Sequence, residues 1–181
     1  MTRDATPRVR RATLDDVPAL QALIARSARG LSDGFYTPAQ VESAVRHLFG
    51  VDTQLVHDGT YFVVEAGGAL VAGGGWSRRR TLYGGDQSKH GEDAALDPAR
   101  DAARIRAFFV DPAWARRGLG RLLFEECRGA AAAAGFTRLE LLATLPGEPL
   151  YAALGFTVTE RVVVTLADGV AMPGAVMGRR V

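Results

Sequence analysis

The chain has 181 residues, a length that fits one domain with a sizeable hydrophobic core. Its hydrophobic content of 48% and charged content of 23% are ordinary for a soluble globular protein, and its formal net charge of +2 argues against a general nucleic-acid binder, whose affinity comes from many phosphate contacts. Its single cysteine excludes an internal disulfide and a metal site built from several cysteines, so we expect no metal.

The N-terminal part of the chain predicts a strand followed by two helices. Residues 1–4 carry no apolar signal core, and no apolar run is long enough to span a bilayer, so we expect a cytoplasmic protein without a membrane partner. Residues 9–12 predict a short strand. Thr13 is an N-cap residue type and precedes apolar residues at helical spacing, and Thr37 with Pro38 predicts the start of a second helix.

Two adjacent aromatic residues, Phe35 and Tyr36, lie in the break between these helices. A loop of this kind commonly forms the wall of a substrate site. The alternative, a loop anchored to the core by Phe35, is equally consistent with the sequence.

The next part of the chain predicts an antiparallel meander. Its three predicted strands are 54–56, 61–65 and 69–77. Gly67-Gly68 is a hairpin turn signal. The glycines at 73–75 weaken the third strand and permit a bulge or the close approach of a ligand. Trp76 would then lie at the end of that strand, near a central cleft.

Residues 78–101 form the least regular part of the chain, and we expect a long loop there. The arginines at 78–80 either contact an acidic ligand group or form a solvated surface run. His90 is either a base or an exposed loop histidine.

The segment 105–121 is the most informative part of the sequence. Residues 105–110 predict a buried strand, and Gly118 and Gly120 then lead into apolar residues at helical spacing. A glycine-bearing turn before a helix offers free N–H groups to an anion, most commonly phosphate. Glycine at both positions would let a phosphate approach the backbone closely. The alternative is an ordinary helix start with solvated arginines.

The rest of the chain predicts a crossover and a hairpin. An alanine-rich helix ends at Gly135, and the segment 136–142 returns as a strand parallel to 104–110, which makes a right-handed βαβ unit. A short helix follows at Tyr151, and the strands 156–165 and 171–179 end the chain.

Two segments resemble motifs of the GNAT superfamily of N-acetyltransferases. The first is its acetyl-CoA-binding motif, Gln/Arg-x-x-Gly-x-Gly/Ala, matched here by Ala115-Arg116-Arg117-Gly118-Leu119-Gly120. The second is its closing motif, in which a Tyr opens a short helix that ends in Leu-Gly-Phe, matched by residues 150–156. Ala115 departs from the first motif, but it removes a side chain and not the backbone donors.

The resemblance extends over nearly the whole chain and implies its fold. We expect an α/β (α+β) protein with a mixed, mostly antiparallel central sheet flanked by helices. One parallel pair, at about 104–110 and 137–142, should splay apart at its C-terminal ends. The whole of residues 1–181 should form a single domain of this type.

The resemblance also implies the cofactor and its site. Acetyl-CoA would place its pantetheine arm in the wedge between the splayed strands, with the thioester carbonyl on backbone N–H groups near Phe109 and Val110. The pyrophosphate would lie on residues 116–121. The implied cofactor-binding residues are Phe108, Phe109, Val110, Ala115, Arg116, Arg117, Gly118, Leu119, Gly120, Arg121 and Tyr151.

The family places its corresponding Tyr near the sulfur, so the resemblance implies that Tyr151 protonates the departing thiolate. The alternative is a core Tyr that begins a helix. The family often uses a Glu base on the strand before the phosphate loop, but Arg104 and Arg106 occupy this part of the chain. Glu65, Glu148 or an ordered water chain remain candidates. Cys127 follows the phosphate loop, away from the thioester, which argues against an acyl-cysteine intermediate.

By strand alternation Arg104 and Arg106 share a face with Phe108, which indicates an acceptor that carries a carboxylate or phosphate if that face lines the cleft. The expected acceptor is small and, on this ground, acidic. The alternative is ion pairing with Asp101 or Glu140. The candidate acceptor-binding residues are Phe35, Tyr36, Trp76, Arg104 and Arg106.

The expected function is acetyl transfer from acetyl-CoA to a primary amine by direct attack in a ternary complex. The missing base motivates an alternative, a non-catalytic acyl-CoA-binding sensor or interaction module of the same fold. A third hypothesis, nucleotide-phosphate binding without CoA, conflicts with the segment 151–156. Family members are often dimers, so a homodimer is an expected assembly.

Overall fold

The fold is built around one mixed sheet of seven strands. The computed structural model describes residues 6–181, so the expectation about residues 1–4 lies outside the described residues. The strands are β1 (Arg8–Arg11), β2 (Tyr61–Ala66), β3 (Ala69–Ser77), β4 (Ala103–Val110), β5 (Arg138–Thr144), β6 (Thr157–Thr165) and β7 (Ala171–Arg180). Their spatial order is β1-β2-β3-β4-β5-β7-β6, and every neighbouring pair is antiparallel except β4 and β5. The expected fold class is therefore confirmed.

Helices cover both faces of the sheet. They are α1 (Val17–Leu31), α2 (Pro38–His47), α3 (Thr53–His57), α4 (Leu119–Ala133) and α5 (Glu148–Ala153). In β2, Tyr61 and Val63 pack with α1 and α3, whereas Phe62 and Val64 pack with α4, because successive strand residues face opposite sides. None of the helices between residues 6 and 181 is long and apolar enough to cross a membrane.

The start of α2 follows the sequence prediction. The Gln40 N–H donates to Thr37 Oγ1 at 3.2 Å, and the Thr37 N–H donates to Gln40 Oε1 at 2.9 Å. This reciprocal capping box satisfies two donors that the first helical turn leaves free.

The predicted strand at 54–56 is wrong, because these residues lie in α3. The carboxylate of Asp52 accepts a hydrogen bond from the Gln54 N–H at 3.0 Å and so caps the helix. Leu55 and Val56 are buried against α1. A run of three residues is too short for its apolar spacing to distinguish a helix from a strand.

The parallel pair opens into a wedge. β4 and β5 pair only at Ala103 with Leu139 and at Arg104 with Glu140, after which they diverge. The edge of β4 that faces β5 is therefore free of strand pairing toward its C-terminal end.

A bulge interrupts β4 where it passes the glycines of β3. Gly73 pairs with Phe109 and Gly75 pairs with Arg106, so two residues of β4 lie opposite Gly74. One of these, Ala107, has a positive φ of 56°. The bulge that the glycine run permits is present, and it reverses the alternation of side chains along β4.

The long loop predicted at 78–101 is confirmed. It contains one short 3-10 helix, Asp86–Ser88, and a single bridge between Arg79 and Ala95. Ion pairs tie the loop to the rest of the fold: Lys89 Nζ lies 2.9 Å from a carboxylate oxygen of Asp52, and Arg79 Nε lies 2.7 Å from Asp58.

Candidate active site

A cleft lies between the diverging ends of β4 and β5. Its lining residues are Leu48, Phe49, Gly50, Leu82, Tyr83, Gly84, Ile105, Ala107, Phe108, Phe109, Leu142, Thr144, Gly147, Leu150 and Tyr151. A second cavity shares the β4 end and Leu150 with it and extends along α1. The wedge is thus lined on both sides and is largely apolar, which suits a buried organic ligand.

Two aromatic pairs form opposite walls of the cleft. The rings of Phe108 and Tyr151 lie 6.1 Å apart, and those of Phe49 and Phe109 lie 5.6 Å apart. Phe108 packs against the α4 core and Phe109 against the α1 core. The end of β4 therefore carries aromatic side chains toward both sides of the sheet.

Tyr151 lies near the middle of the short helix α5 and has only 8% of its surface exposed. Its ring also packs on Phe156 at 5.9 Å. Burial raises the pKa of Tyr151 above its usual value. Its side chain lines the cleft, and its hydroxyl has no hydrogen-bond partner within residues 6–181. The phenol therefore keeps its proton at neutral pH and has a free donor.

The start of α4 leaves backbone donors free. Gly118 is the N-cap with a φ of 81°, and Arg116 before it has a φ of 60°. The first N–H of this helix with a partner is that of Leu122, which donates to the Gly118 carbonyl at 3.0 Å. The N–H groups before it point out of the helix at its positive end, which is the geometry of an anion site.

Three arginines surround these donors. Arg116, Arg117 and Arg121 are exposed, and none pairs with an acidic side chain among residues 6–181. Arg117 lies 4.8 Å above the ring of Trp114. Leu119 turns its side chain into the core, so it offers only its backbone. The N–H of Ala115 already donates to the Pro112 carbonyl at 3.3 Å.

Gly120 also has a role in packing that the sequence did not indicate. A Cβ atom at this position would lie 2.7 Å from Leu150 Cδ2, so glycine here lets α4 pack closely on the α5 segment. A Cβ at Gly118 would meet no described atom within 4 Å, and glycine there meets the need for a positive φ. The close approach of a phosphate to these two positions stays a prediction.

Ser27 is a residue at the site that the sequence did not indicate. Its side chain is buried on α1, and its Oγ accepts the Val110 N–H at 3.2 Å. This contact joins positions 83 residues apart. A serine in an amphipathic helix forms no sequence pattern from which such a contact could be predicted. One of the two backbone donors expected at the thioester is thus engaged.

The two arginines of β4 are both engaged by carboxylates. Arg104 pairs with Glu140, which is one of the two alternatives that the sequence offered. Arg106 Nη2 lies 3.0 Å from Asp52 and also donates to the Gly84 carbonyl at 2.6 Å. The Arg106 side chain is 1% exposed, because the bulge turns it away from the face of Phe108.

The aromatic candidates for acceptor binding do not gather in the cleft. Trp76 is buried in the α4 core against Phe136, with ring centroids 6.1 Å apart. Phe35 lies outside the cleft, in a shallow groove beside Leu145 and Pro149. Tyr36 is buried, and its hydroxyl donates to the Pro173 carbonyl at 2.6 Å and accepts the Leu145 N–H at 2.9 Å.

The candidate bases also lie elsewhere. Glu65 pairs with Arg10, Glu148 pairs with Arg161, and His90 lies in the outer part of the 78–101 loop. Among residues 6–181, no Asp, Glu or His side chain lines the cleft.

Comparisons with known proteins agree with this geometry. The model of the acetyltransferase (GNAT) family matches residues 27–156. No curated protein sequence is significantly similar to the chain.

Solved structures share the fold at low identity. A GCN5-related N-acetyltransferase from Rhodopseudomonas palustris aligns with a TM-score of 0.72 and 17% identity over 100% of this chain and 99% of that one. The PaiA N-acetyltransferase of Thermoplasma acidophilum, in complex with coenzyme A, aligns with a TM-score of 0.65 and 12% identity over 97% of this chain and 99% of that one. The ribosomal-protein-S18-alanine N-acetyltransferase of Escherichia coli aligns with a TM-score of 0.58 and 17% identity over 97% of this chain and 94% of that one.

Proposed function

The chain belongs to the acetyltransferase (GNAT) family and is an acetyl-CoA-dependent N-acetyltransferase, and we propose that it acetylates the primary amine of a small acceptor by direct attack in a ternary complex. One observation carries the proposal. Leu150 lines the cleft beside Tyr151 and also packs on Gly120 at the start of α4. The apolar wedge and the anion site are therefore adjacent, as a ligand with an apolar arm and a phosphorylated end requires.

The residues present fit acetyl-CoA. The free N–H groups at the start of α4 would hold its pyrophosphate, and Arg116, Arg117 and Arg121 would neutralise phosphate charge. The unpaired edge of β4 would hold the pantetheine arm as an added strand does. When bound, acetyl-CoA supplies the acetyl group as an activated thioester.

Tyr151 would act as the general acid in this reaction. Its phenol is protonated at neutral pH and has no competing hydrogen-bond partner within residues 6–181. It can therefore donate to the sulfur that leaves when the amine attacks the thioester carbonyl. The backbone near Phe109 would face the carbonyl oxygen, since the Val110 N–H is held by Ser27.

No side chain of the described cleft would serve as the base. With neither carboxylate nor imidazole in the lining, we propose that the amine attacks in its neutral form and releases its proton to water. Turnover would then depend on the fraction of acceptor that is unprotonated.

An acidic acceptor is not part of the proposal. The arginines that suggested one are paired with Glu140 and Asp52, so neither offers a free charge to a substrate.

We propose that residues 1–181 form one domain. Strands from Arg8–Arg11 to Ala171–Arg180 all join the same sheet, which supports this organisation. The homodimer remains a prediction.

The absence of a base from the described cleft also favours the second candidate, a non-catalytic acyl-CoA-binding module. A thermal-shift series with acetyl-CoA, CoA and ATP, followed by thiol release with a panel of amines, separates the possibilities. We expect both CoA species to raise the melting temperature, ATP to leave it unchanged, and at least one amine to release thiol. Binding without release across a broad panel would favour the non-catalytic module, and no shift with either CoA species would refute the assigned site.

A further inference from the structure

The part of the cleft away from α1 is lined by uncharged groups. Leu82 and Tyr83 supply its side chains, Gly50 and Gly84 supply backbone, and Phe49 lies between this part and the cavity along α1. The cavity that runs along α1 follows the end of β4 to Val110, and we assign it to the pantetheine arm held on the β4 edge, which leaves this part for the acceptor. An acceptor bound here meets apolar surface and aromatic rings, and no side-chain charge among the described lining residues.

Four charged side chains close to this surface neutralise one another, namely Arg106, Asp52, Lys89 and Asp93. Arg106 donates to the Gly84 carbonyl and pairs with Asp52, and Asp52 also pairs with Lys89 at 2.9 Å. Lys89 in turn lies 3.1 Å from Asp93. Two cations thus face two carboxylates beneath the cleft. A carboxylate on the acceptor would lose its hydration here without gaining a partner.

Hydrogen bonds tie β7 to the neighbouring segments on the opposite side of the cleft. The Tyr36 hydroxyl joins the Pro173 carbonyl of β7 to the Leu145 N–H after β5. The side chain of Gln40 on α2 donates to the Ala171 carbonyl at 2.9 Å. These contacts hold the segment between α1 and α2 against β7 on this side of the cleft.

From these observations we propose that the acceptor is a small primary amine on an uncharged, apolar body, such as an arylalkylamine. The inference rests on the proposed acetyltransferase function. Phe49, Leu82 and Tyr83 would contact the body of this amine, and the apolar surface would select against amines that carry a carboxylate and against the N-termini of peptides.

The test compares three acceptors that share one body. With saturating acetyl-CoA, thiol release is measured for 2-phenylethylamine, for phenylalanine and for a pentapeptide that begins with phenylalanine. Each acceptor is assayed at a pH that gives the same fraction of free amine. We expect kcat/KM for 2-phenylethylamine to exceed the values for the other two acceptors by at least about 100-fold. Discrimination on this scale is expected where binding buries a polar group of the substrate without a hydrogen-bond partner.

The outcomes separate the two levels of the proposal. Equal or higher kcat/KM for phenylalanine or the peptide would overturn the acceptor class and leave the transferase function intact. No release with any of the three, or with a wider amine panel, would overturn both.

A variant adds an independent readout. Leu82→Lys would place a cation in the cleft, and we expect the ratio of kcat/KM for phenylalanine to that for 2-phenylethylamine to rise by about 5-fold, the scale of a partly exposed ion pair. Leu14→Lys is the matched control, because Leu14 is an exposed leucine of the short 3-10 helix before α1, and its ratio should not change. An unchanged ratio in Leu82→Lys, with the same melting temperature as the control, would remove Leu82 from the acceptor site.

Discussion

Tyr151 and Tyr61 are both buried tyrosines whose hydroxyls make no hydrogen bond within residues 6–181, but they differ in what their rings face. Tyr61 is fully buried on the α1 side of β2, whereas Tyr151 lines the cleft. Burial raises the pKa of both phenols, so both are protonated at neutral pH. Only the hydroxyl that lines the cleft is in a position to donate to a ligand.

Tyr151→Phe should lower kcat by about 100-fold or more, because a positioned general acid contributes at least that much. The affinity for acetyl-CoA should change little, since the ring keeps its packing on Phe108 and Phe156. Steady-state kinetics and calorimetric titration with acetyl-CoA measure the two quantities. An unchanged kcat would mean that Tyr151 takes no part in proton transfer.

Tyr61→Phe is the matched control for this substitution. It deletes the same hydroxyl from a site away from the cleft and should leave kcat unchanged. It should also raise the free energy of unfolding by about 1 kcal/mol, because a buried hydroxyl without a partner is destabilising.

Two glycines of the same segment should respond oppositely to alanine. Gly118 has a φ of 81°, so Gly118→Ala should cost about 1–2 kcal/mol of stability and weaken CoA binding through the altered turn. Gly129 lies inside α4, where an added Cβ would meet no described atom within 4 Å, so Gly129→Ala should add about 0.5–1 kcal/mol and leave CoA binding unchanged. Urea denaturation measures the stability of the two variants, and titration with CoA measures their affinity for CoA. A stabilising Gly118→Ala would contradict the assigned turn.

At the scale of secondary structure, the sequence predicted elements well where it carried capping residues together with a regular spacing of apolar residues. The capping residues of α2 and the strand, turn and helix from β4 to α4 were all legible from local chemistry. The segment at 54–56 was not, because three residues are too few for their apolar spacing to distinguish a helix from a strand, even with the capping residue Asp52 before them.

The bulge in β4 explains why the site was predicted only in part. Residues 108–110 and Tyr151 do line the wedge, as the motifs implied. Arg106 does not, because one extra residue opposite Gly74 reverses the alternation on which its assignment rested. The glycine run indicated that a bulge was permitted, but its position in β4 depends on pairing across the sheet.

Asp52 holds three elements together, since it caps α3, pairs with Arg106 of β4 and pairs with Lys89 of the 78–101 loop. Asp52→Asn keeps a capping side chain but removes the charge, which leaves Arg106 buried without a counter-ion. We expect a loss of about 3–5 kcal/mol in the free energy of unfolding, measured by urea denaturation.

Asp58→Asn offers the comparison for Asp52→Asn. Asp58 pairs with Arg79 of the same loop, but this pair is more exposed, so its loss should cost about 1 kcal/mol or less. Similar losses in the two variants would mean that the burial of the Asp52 cluster is not what makes it important.

At the scale of the whole molecule, the fold class was implied by the two segments that resemble GNAT motifs, and the order of predicted strands and helices agreed with it. The parallel crossover from β4 to β5 and the antiparallel strands on either side follow from element lengths and turns. The packing of the 78–101 loop did not follow, because its ion pairs join residues far apart in sequence.

Stability should fall steeply in acid. The Arg10 guanidinium lowers the pKa of Asp16 to about 2, and Arg79 lowers the pKa of Asp58. A carboxyl whose pKa is lower in the folded state stabilises it above the unfolded value and loses that contribution as pH falls, here between about pH 4 and about pH 2 for Asp16.

Urea midpoints measured at intervals from pH 6 down to about pH 2 test this expectation. Asp16→Asn should flatten the acid limb of the curve, because the substituted residue no longer titrates. If the variant and the parent lose stability in parallel, the Arg10–Asp16 pair contributes nothing to the pH dependence.

The buried thiol of Cys127 has a practical consequence. It is the sole cysteine of the sequence, it is fully buried on α4, and burial raises its pKa above the usual value. The native protein should therefore add no background when released CoA is counted with a thiol reagent. Once the chain opens, the same sulfur becomes reactive, so the rate of labelling at one atom would report how often the molecule unfolds, without any probe being introduced.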